Sequence, residues 1–189
     1  MNETPRPYRL GTPDINCRYP VHAGAWFLGW AFRWHGTWWA IAAGTGEETR
    51  VADGGPRQGG GVDAVASHLH SEFMAGRIAP QQAVDSAAAE PARPEDVPLL
   101  HPRMPETARN IAAAEVALTG LAEHRWTPYG GYPGSDNPWY MECQLCGWKG
   151  PRYWSHLRGR NGMAPSVHRH EGGCIGADAV REAIAAYRD

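Results

Sequence analysis

Residues between Ala25 and Trp34 alternate between two faces, and four of the five positions on one face are aromatic. This period of two predicts a β-strand, because successive strand side chains point to opposite faces. One face of the strand would carry Trp26, Leu28, Trp30, Phe32 and Trp34. The tryptophans also recur every four residues, as in a helix, but Gly29 and the following His35-Gly36 turn favour the strand.

Two more strands are predicted beyond the turn. Residues 37–43 form a second β-prone run, which indicates a hairpin. A polar edge strand is predicted near residues 48–52, after a Gly-Thr-Gly turn. Residues 1–22 are rich in proline and have no period, so we predict an irregular lead-in there. The N-terminal part is therefore predicted to be an antiparallel β-meander.

Four segments carry helical patterns. Residues 62–73 have apolar side chains at i, i+3, i+7 and i+11, which predicts an amphipathic helix over one face of the sheet. A short helix is predicted over residues 80–90, where Pro80 suits a first turn. A longer helix is predicted over 105–124, and a terminal one over 177–187.

The charge and the cysteine content limit the classes of protein to which the chain can belong. The formal net charge of −2 argues against a basic surface throughout, but residues 125–175 carry six basic and three acidic side chains, or +3. No apolar run approaches the roughly 20 residues of a membrane span, and the N-terminus lacks a signal-peptide pattern. We therefore expect a cytoplasmic protein without a membrane segment, in which four cysteines indicate metal binding rather than disulfides.

The sequence Cys143-Gln-Leu-Cys146-Gly147 carries the clearest chemistry. Two thiolates separated by two residues can bind one ion when the backbone makes a tight knuckle, and the glycine relieves that turn. Residues 140–142 would form the strand that enters the knuckle. Cys174 supplies a third thiolate, whereas Cys17 lies far from the others and is interpreted as a buried thiol. The spacing predicts a structural zinc site.

A tetrahedral site needs a fourth ligand, and several histidines are candidates for it. His170 lies four residues before Cys174 and gives the pattern Cys-x2-Cys, 23 residues, His-x3-Cys. His168 is the competing candidate, and His156 is a more distant one. The predicted metal ligands are therefore Cys143, Cys146, Cys174 and His170, with His168 as the alternative.

Residues 132–147, followed by 157–159 and 172–174, resemble the small zinc-ribbon and treble-clef modules of bacterial and phage proteins. The most specific part is Gly-Ser-Asp-x-Pro-Trp leading into Cys-x2-Cys-Gly. The family pattern usually ends in a second Cys-x2-Cys, but Ala177 occupies that last position here, so a histidine would have to substitute. Some such modules accompany DNA-processing domains, so the resemblance implies a nucleic-acid-associated role in a phage or mobile element.

These elements predict an α+β protein with three parts. Residues 1–76 would form the β-meander and its covering helix. Residues 77–124 are interpreted as an acidic connector rich in proline and alanine, which contains the helix 105–124. Residues 125–189 would form the zinc-stabilised ribbon or treble-clef module with the terminal helix.

The basic C-terminal segment interleaves arginines with aromatic residues, which is typical of phosphate-contacting patches. The predicted nucleic-acid contacts are Arg152, Arg158, Arg160 and Arg169. A solvated surface whose arginine stems cover a thin core would give the same pattern. The tryptophan stripe of the N-terminal hairpin fits a core under the helix, or a face that stacks bases or binds a protein partner.

No complete catalytic constellation is present in the sequence. The predicted function is therefore that of a non-catalytic zinc-containing binding protein, associated with nucleic acid. A protein–protein adaptor or inhibitor is the first alternative. A small metal-dependent nuclease that uses His168 and Asn161 is the second, although the spacing of its histidines and asparagine does not complete that motif.

Overall fold

The computed structural model describes residues 6–55, 60–82, 97–160 and 163–188. The chain divides into two compact units, Met1–Glu90 and Pro91–Asp189, which are described separately. Within the described residues the N-terminal unit contains an antiparallel sheet with one helix, and the C-terminal unit contains an antiparallel sheet with several helices, so the predicted α+β class is confirmed. None of the helices in these ranges is both long and apolar enough to cross a membrane.

The N-terminal unit is built on an antiparallel meander, as predicted. Its strands follow one another in the sheet in chain order from β1 to β5, and β6 pairs beside the start of β3. The strands are β1 (Arg9–Leu10), β2 (Tyr19–Ala23), β3 (Trp26–Trp34), β4 (Thr37–Ala42), β5 (Glu48–Asp53) and β6 (Gln81–Gln82). The predicted irregular lead-in is wrong in part, because β1 and β2 lie within it and extend the meander beyond the hairpin.

A β-bulge interrupts the predicted alternation of β3. The register between β2 and β3 shifts by one residue at Leu28. The next residue, Gly29, has a φ of +141°, and a Cβ there would lie 2.1 Å from the carbonyl oxygen of Ile41. Only glycine tolerates this backbone and this approach. As a result Leu28 and Ala31, three residues apart, both face the same core.

That core lies between the sheet and α1 (Val62–Met74), the predicted covering helix. Val65, Ala66 and Leu69 are its fully buried helical members. On the sheet side the small residues Ala31 and Ala40 leave room for the helix to approach closely. The apolar stripe predicted for residues 62–73 therefore packs as expected on the sheet.

The tryptophan stripe is not the centre of this core. Among the described residues of the N-terminal unit, Trp38 is the tryptophan that packs against the core cluster, and its indole N–H donates to the carbonyl of Gly54 at 3.0 Å. Strand alternation beyond the bulge places Trp30 and Trp39 on the sheet face opposite α1. Of the two interpretations that the sequence leaves open, core beneath the helix does not hold for Trp30 and Trp39.

The short helix predicted over residues 80–90 is wrong at its start. Gln81 and Gln82 form β6, which pairs with Phe27 and Trp26. Strand β4 pairs with β3 only from Gly29 onward, so this backbone edge of β3 needs another partner. Residues 83–90 of the prediction lie outside the described part of the chain.

The C-terminal unit combines a three-stranded sheet, in the order β7-β8-β9, with helices on either side of it in sequence. Its elements are α2 (Ala108–Glu123), β7 (Trp126–Pro128), β8 (Trp139–Cys143), β9 (Lys149–Arg152), α3 (Trp154–Leu157), α4 (Ala177–Ala183) and a 3-10 turn (Ala185–Tyr187). Helix α2 begins three residues later than predicted because Thr107 caps it, accepting a hydrogen bond from the Asn110 amide at 3.2 Å. The predicted terminal helix is divided at Ile184, whose backbone is extended.

Helix α2 belongs to the core of the C-terminal unit rather than to a connector. Its buried side chains Ala114, Ala117 and Leu121 pack with Trp126 and Trp154, among other residues of the same cluster. The prediction that residues 77–124 form a separate connector is therefore wrong for α2. The zinc module predicted to begin at residue 125 depends on this helix for its core.

Candidate metal centre

The turn between β8 and β9 holds the first two candidate ligands. Cys143 is the last residue of β8, and Cys146 lies in the turn. The carbonyl of Cys143 accepts the amide of Gly147 at 2.8 Å, and the Cys143 amide donates to the carbonyl of Trp148 at 2.8 Å. Gly147 has a φ of +76°, the left-handed conformation that glycine adopts without cost. The predicted knuckle is therefore formed by the backbone.

The second pair of ligands lies in the loop before α4. The Nδ1 of His170 lies 2.9 Å from the carbonyl oxygen of Glu171, which can only accept a hydrogen bond. This contact places the proton on Nδ1 and leaves the lone pair of Nε2 for a metal. Cys174 follows four residues later, just before the helix.

Four donor atoms meet at this place: the sulfurs of Cys143, Cys146 and Cys174 and a ring nitrogen of His170. All lie within 4.8 Å of one another. The sulfurs of Cys143 and Cys174 are 3.6 Å apart, and the sulfur of Cys146 is 3.1 Å from Nε2 of His170. A tetrahedral zinc ion with bonds of about 2.3 Å to sulfur would set the sulfurs about 3.8 Å apart. The group can therefore hold a metal ion of this size.

The structure separates the competing histidines. His170 is 4% exposed and lies in the donor group, whereas His168 is exposed and lies outside it. His156, in α3, is also exposed and outside the group. Of the alternatives for the fourth ligand, the geometry selects His170. Asn161, which the nuclease alternative needs, lies outside the described residues.

Arg169 differs most from its predicted place on the surface. Its side chain is fully buried, with 0% exposed. Its Nε donates to the sulfur of Cys143 at 3.2 Å, and its two terminal nitrogens donate to the carbonyls of His124 and Arg125 at 2.8 and 2.9 Å. The guanidinium also lies 4.4 Å from the ring centroid of Trp126. The prediction that Arg169 contacts nucleic acid is therefore wrong, because its donors are engaged inside the protein.

The pKa values of Cys143 and Cys174 are shifted in opposite directions. Burial would raise the pKa of Cys143, but hydrogen bonds from Arg169 and from the Leu145 amide outweigh it, and the pKa is lowered. Burial, together with the neighbouring Cys146 and Cys143, raises the pKa of Cys174 to about 12. Thiolates this close repel one another, and the positive charge of a bound metal ion would offset that repulsion.

Two tryptophans surround the histidine ligand. The ring of Trp148 stacks on His170 with centroids 4.7 Å apart and planes within 1°. Trp126 lies edge-on to both rings, with centroid distances of 6.3 Å. The sequence pattern does not predict these contacts of Trp126 and Trp148 with His170. The available signal was the position of Trp148, directly after the Cys-x2-Cys-Gly turn that places it over the centre.

The other three arginines predicted to contact phosphates differ in their exposure to solvent. Arg158 and Arg160 are exposed, and Arg160 forms an ion pair with Asp136 at 3.4 Å. Arg152 is half-buried, and its Nε is enclosed without a hydrogen-bond partner. Two of the four arginines therefore present their charge to solvent, both in the segment after α3.

Comparison with known proteins adds no relative. No protein-family model matches the chain, and no curated protein or solved structure matches it significantly. The resemblance to zinc-ribbon and treble-clef modules therefore stays a prediction from the sequence. The chemical interpretation of the centre rests on its four donors and on the residues packed around them.

Proposed function

We propose that this chain is a non-catalytic binding protein whose C-terminal unit is held together by one structural zinc ion. The observation that carries the proposal is the completeness of the donor group. Three sulfurs and one imidazole nitrogen lie within 4.8 Å of one another, which is the full tetrahedral ligand set of zinc. Catalytic zinc sites keep a position open for water or substrate. Binding of such an ion contributes about 10 kcal/mol or more to folding.

The surroundings of the centre also favour a structural role over a nuclease. The nuclease alternative uses a histidine as the general base that activates water beside the metal. His168, which the nuclease alternative uses, is exposed and outside the donor group, and His170 is itself a ligand. The side chains packed on the ligands are Trp126, Trp148 and the carbonyl-bound Arg169. These contacts support the alignment of ligands rather than the activation of water.

The partner that the charge distribution supports best is nucleic acid. Residues 125–175 carry +3, and a zinc ion with three thiolates adds −1, so the loaded segment would keep +2. Arg169 neutralises the centre from inside, so the charge available to a partner comes from exposed groups such as Arg158 and Arg160. Exposed arginines position a protein on phosphates without reading sequence.

Two measurements test the proposal. Elemental analysis of protein purified without added metal should give one zinc ion per chain, and protein free of bound metal would sink the structural part. Fluorescence anisotropy with labelled single- and double-stranded DNA and RNA should show affinity that falls as salt rises. Combining Arg158→Ala with Arg160→Ala should make the slope of log affinity against log salt concentration shallower, by the amount expected for the loss of about two phosphate contacts.

A matched pair of variants controls for charge alone. Arg109 and Arg181 are exposed arginines of the same unit, in α2 and α4. Arg109→Ala with Arg181→Ala removes the same formal charge, and we expect the salt dependence to stay close to that of the parent chain. Equal losses in both pairs would contradict a contact surface at Arg158 and Arg160. Zinc-loaded protein with no salt-sensitive affinity for any of the nucleic acids would favour the adaptor alternative.

A further inference from the structure

We propose that Arg169 is a positioning residue that balances the charge of the metal centre and ties the centre to the end of α2. The inference rests on the proposed zinc site, and it concerns a side chain that is not a ligand. One guanidinium contacts a ligand sulfur, two backbone carbonyls and an aromatic ring. These contacts have two consequences for the centre.

The first consequence is electrostatic. Zinc bound by three thiolates and a neutral imidazole carries a net charge of −1. An unpaired charge in a protein interior is costly, and a paired, hydrogen-bonded one is tolerated. Arg169 is fully buried and places its +1 charge 3.2 Å from the sulfur of Cys143, the most buried sulfur of the group. The guanidinium and the loaded centre therefore form a neutral unit.

The second consequence concerns the end of α2. The last carbonyls of a helix lack partners within it, and they must find donors elsewhere. Just past the helix, the carbonyls of His124 and Arg125 accept hydrogen bonds from the two terminal nitrogens of Arg169. The Arg125 carbonyl also accepts the amide of Gln144, inside the knuckle, at 3.0 Å. The knuckle and the corner between α2 and β7 are therefore joined by the arginine and by the backbone.

The geometry requires arginine at this position rather than a cation in general. The planar guanidinium donates in three directions from one plane while it lies 4.4 Å from the Trp126 ring centroid. A lysine ammonium keeps the charge, but it is a single point on a flexible stem and cannot reproduce all three contacts. Arg169→Lys therefore separates the role of charge from that of alignment.

The experiment compares Arg169→Met, Arg169→Lys and the exposed control Arg109→Met in the full chain. Zinc affinity is measured by competition with a chromophoric chelator, and the cobalt-substituted forms report thiolate coordination by their charge-transfer absorption. We expect Arg169→Met to lower zinc affinity about tenfold to a hundredfold, as for other groups that orient metal ligands. Arg169→Lys should recover part of that loss, and Arg109→Met should match the parent chain.

Hydrogen exchange of the amides that follow α2 tests the alignment. Faster exchange from residues 125–127 is expected in both Arg169 variants, with zinc bound. If Arg169→Met does not fold, Arg169→Lys decides: parent-like affinity together with parent-like exchange overturns the inference. Parent-like zinc affinity in a folded Arg169→Met also overturns it. A parent chain that holds no zinc contradicts the proposed metal site instead, so the two failures are distinguishable.

Discussion

Replacing Gly120 by alanine tests how closely α2 packs on its neighbours. In an exposed helix interior this change stabilises by about 1 kcal/mol, because alanine is the better helix former. Gly120 lies inside α2, so helix propensity alone predicts a gain. The packing of the C-terminal unit predicts the opposite sign.

A Cβ at position 120 would lie 2.2 and 2.7 Å from two ring carbons of Trp154. The ring cannot swing away easily, because Trp154 is 5% exposed and packs edge-on to His124 at a centroid distance of 6.1 Å. Overpacking a core costs about 1–3 kcal/mol, and a clash this short lies at the upper end. After the gain in propensity, we expect a net loss of about 2 kcal/mol, or roughly 10 °C in the melting temperature of a unit this size.

The assay is urea unfolding of the full chain with zinc in excess, followed by circular dichroism. Ala112→Gly, at an exposed position of the same helix, should lose about 1 kcal/mol and thereby calibrate the propensity. Gly120→Ala combined with Trp154→Leu should lose less than the two single changes together, because the smaller side chain makes room. A Gly120→Ala variant as stable as its parent, or more stable, would refute the packing argument.

Three further predictions concern other parts of the molecule. Cys174→Ser, or removal of zinc by a chelator, should abolish amide protection in the C-terminal unit and preserve it in the N-terminal sheet, as measured by hydrogen exchange. Thr107→Ala should cost about 1 kcal/mol in urea unfolding, because the hydroxyl caps α2 through the Asn110 amide. Burial and the nearby Arg9 lower the pKa of His22, so the unfolded chain takes up the proton first as the pH falls below about 6.5. The free energy of unfolding should then decrease as the pH falls. Relative to that of His22→Gln, the free energy of unfolding of the parent chain should decrease from about pH 7.5 to about pH 5.5.

The meander could be predicted because alternation and turn residues are local signals. The strands after Ala25 are specified by β-branched and aromatic residues and by the His35-Gly36 turn. Strand β2 carries Pro20 and has no aromatic stripe, and β1 has two residues. Such segments become strands because β2 pairs with β3 and β1 pairs with β2, so each depends on its partner strand more than on its own residues.

The face assignments in β3 could not be predicted from alternation. A period-two pattern assigns faces only while the register is unbroken, and the bulge at Leu28 shifts it by one residue. In the sequence, Gly29 argues against a helix. An isolated glycine within a strand also indicates a bulge, and that interpretation would have reassigned the tryptophans.

The candidate site divides in the same way. The Cys-x2-Cys-Gly spacing is local and leads directly to the knuckle that the structure contains. The choice between His170 and His168 is not local, because both lie within reach along the chain and only the packed loop separates them. The role of Arg169 is still less visible, since its carbonyl partners lie 45 and 44 residues away.

The two halves of the donor group differ in the conformational entropy that the unfolded chain loses when their ligands are brought together. Cys143 and Cys146 are three residues apart, whereas Cys146 and His170 are separated by 24 and Cys143 and Cys174 by 31. Loop-closure entropy grows by about 0.6 kcal/mol for each doubling of length, so joining the distant pair costs about 2 kcal/mol more than closing the knuckle. A metal ion captured early would therefore first be held by the two knuckle thiolates, and the final coordination step would coincide with ordering of the segment that leads to α4.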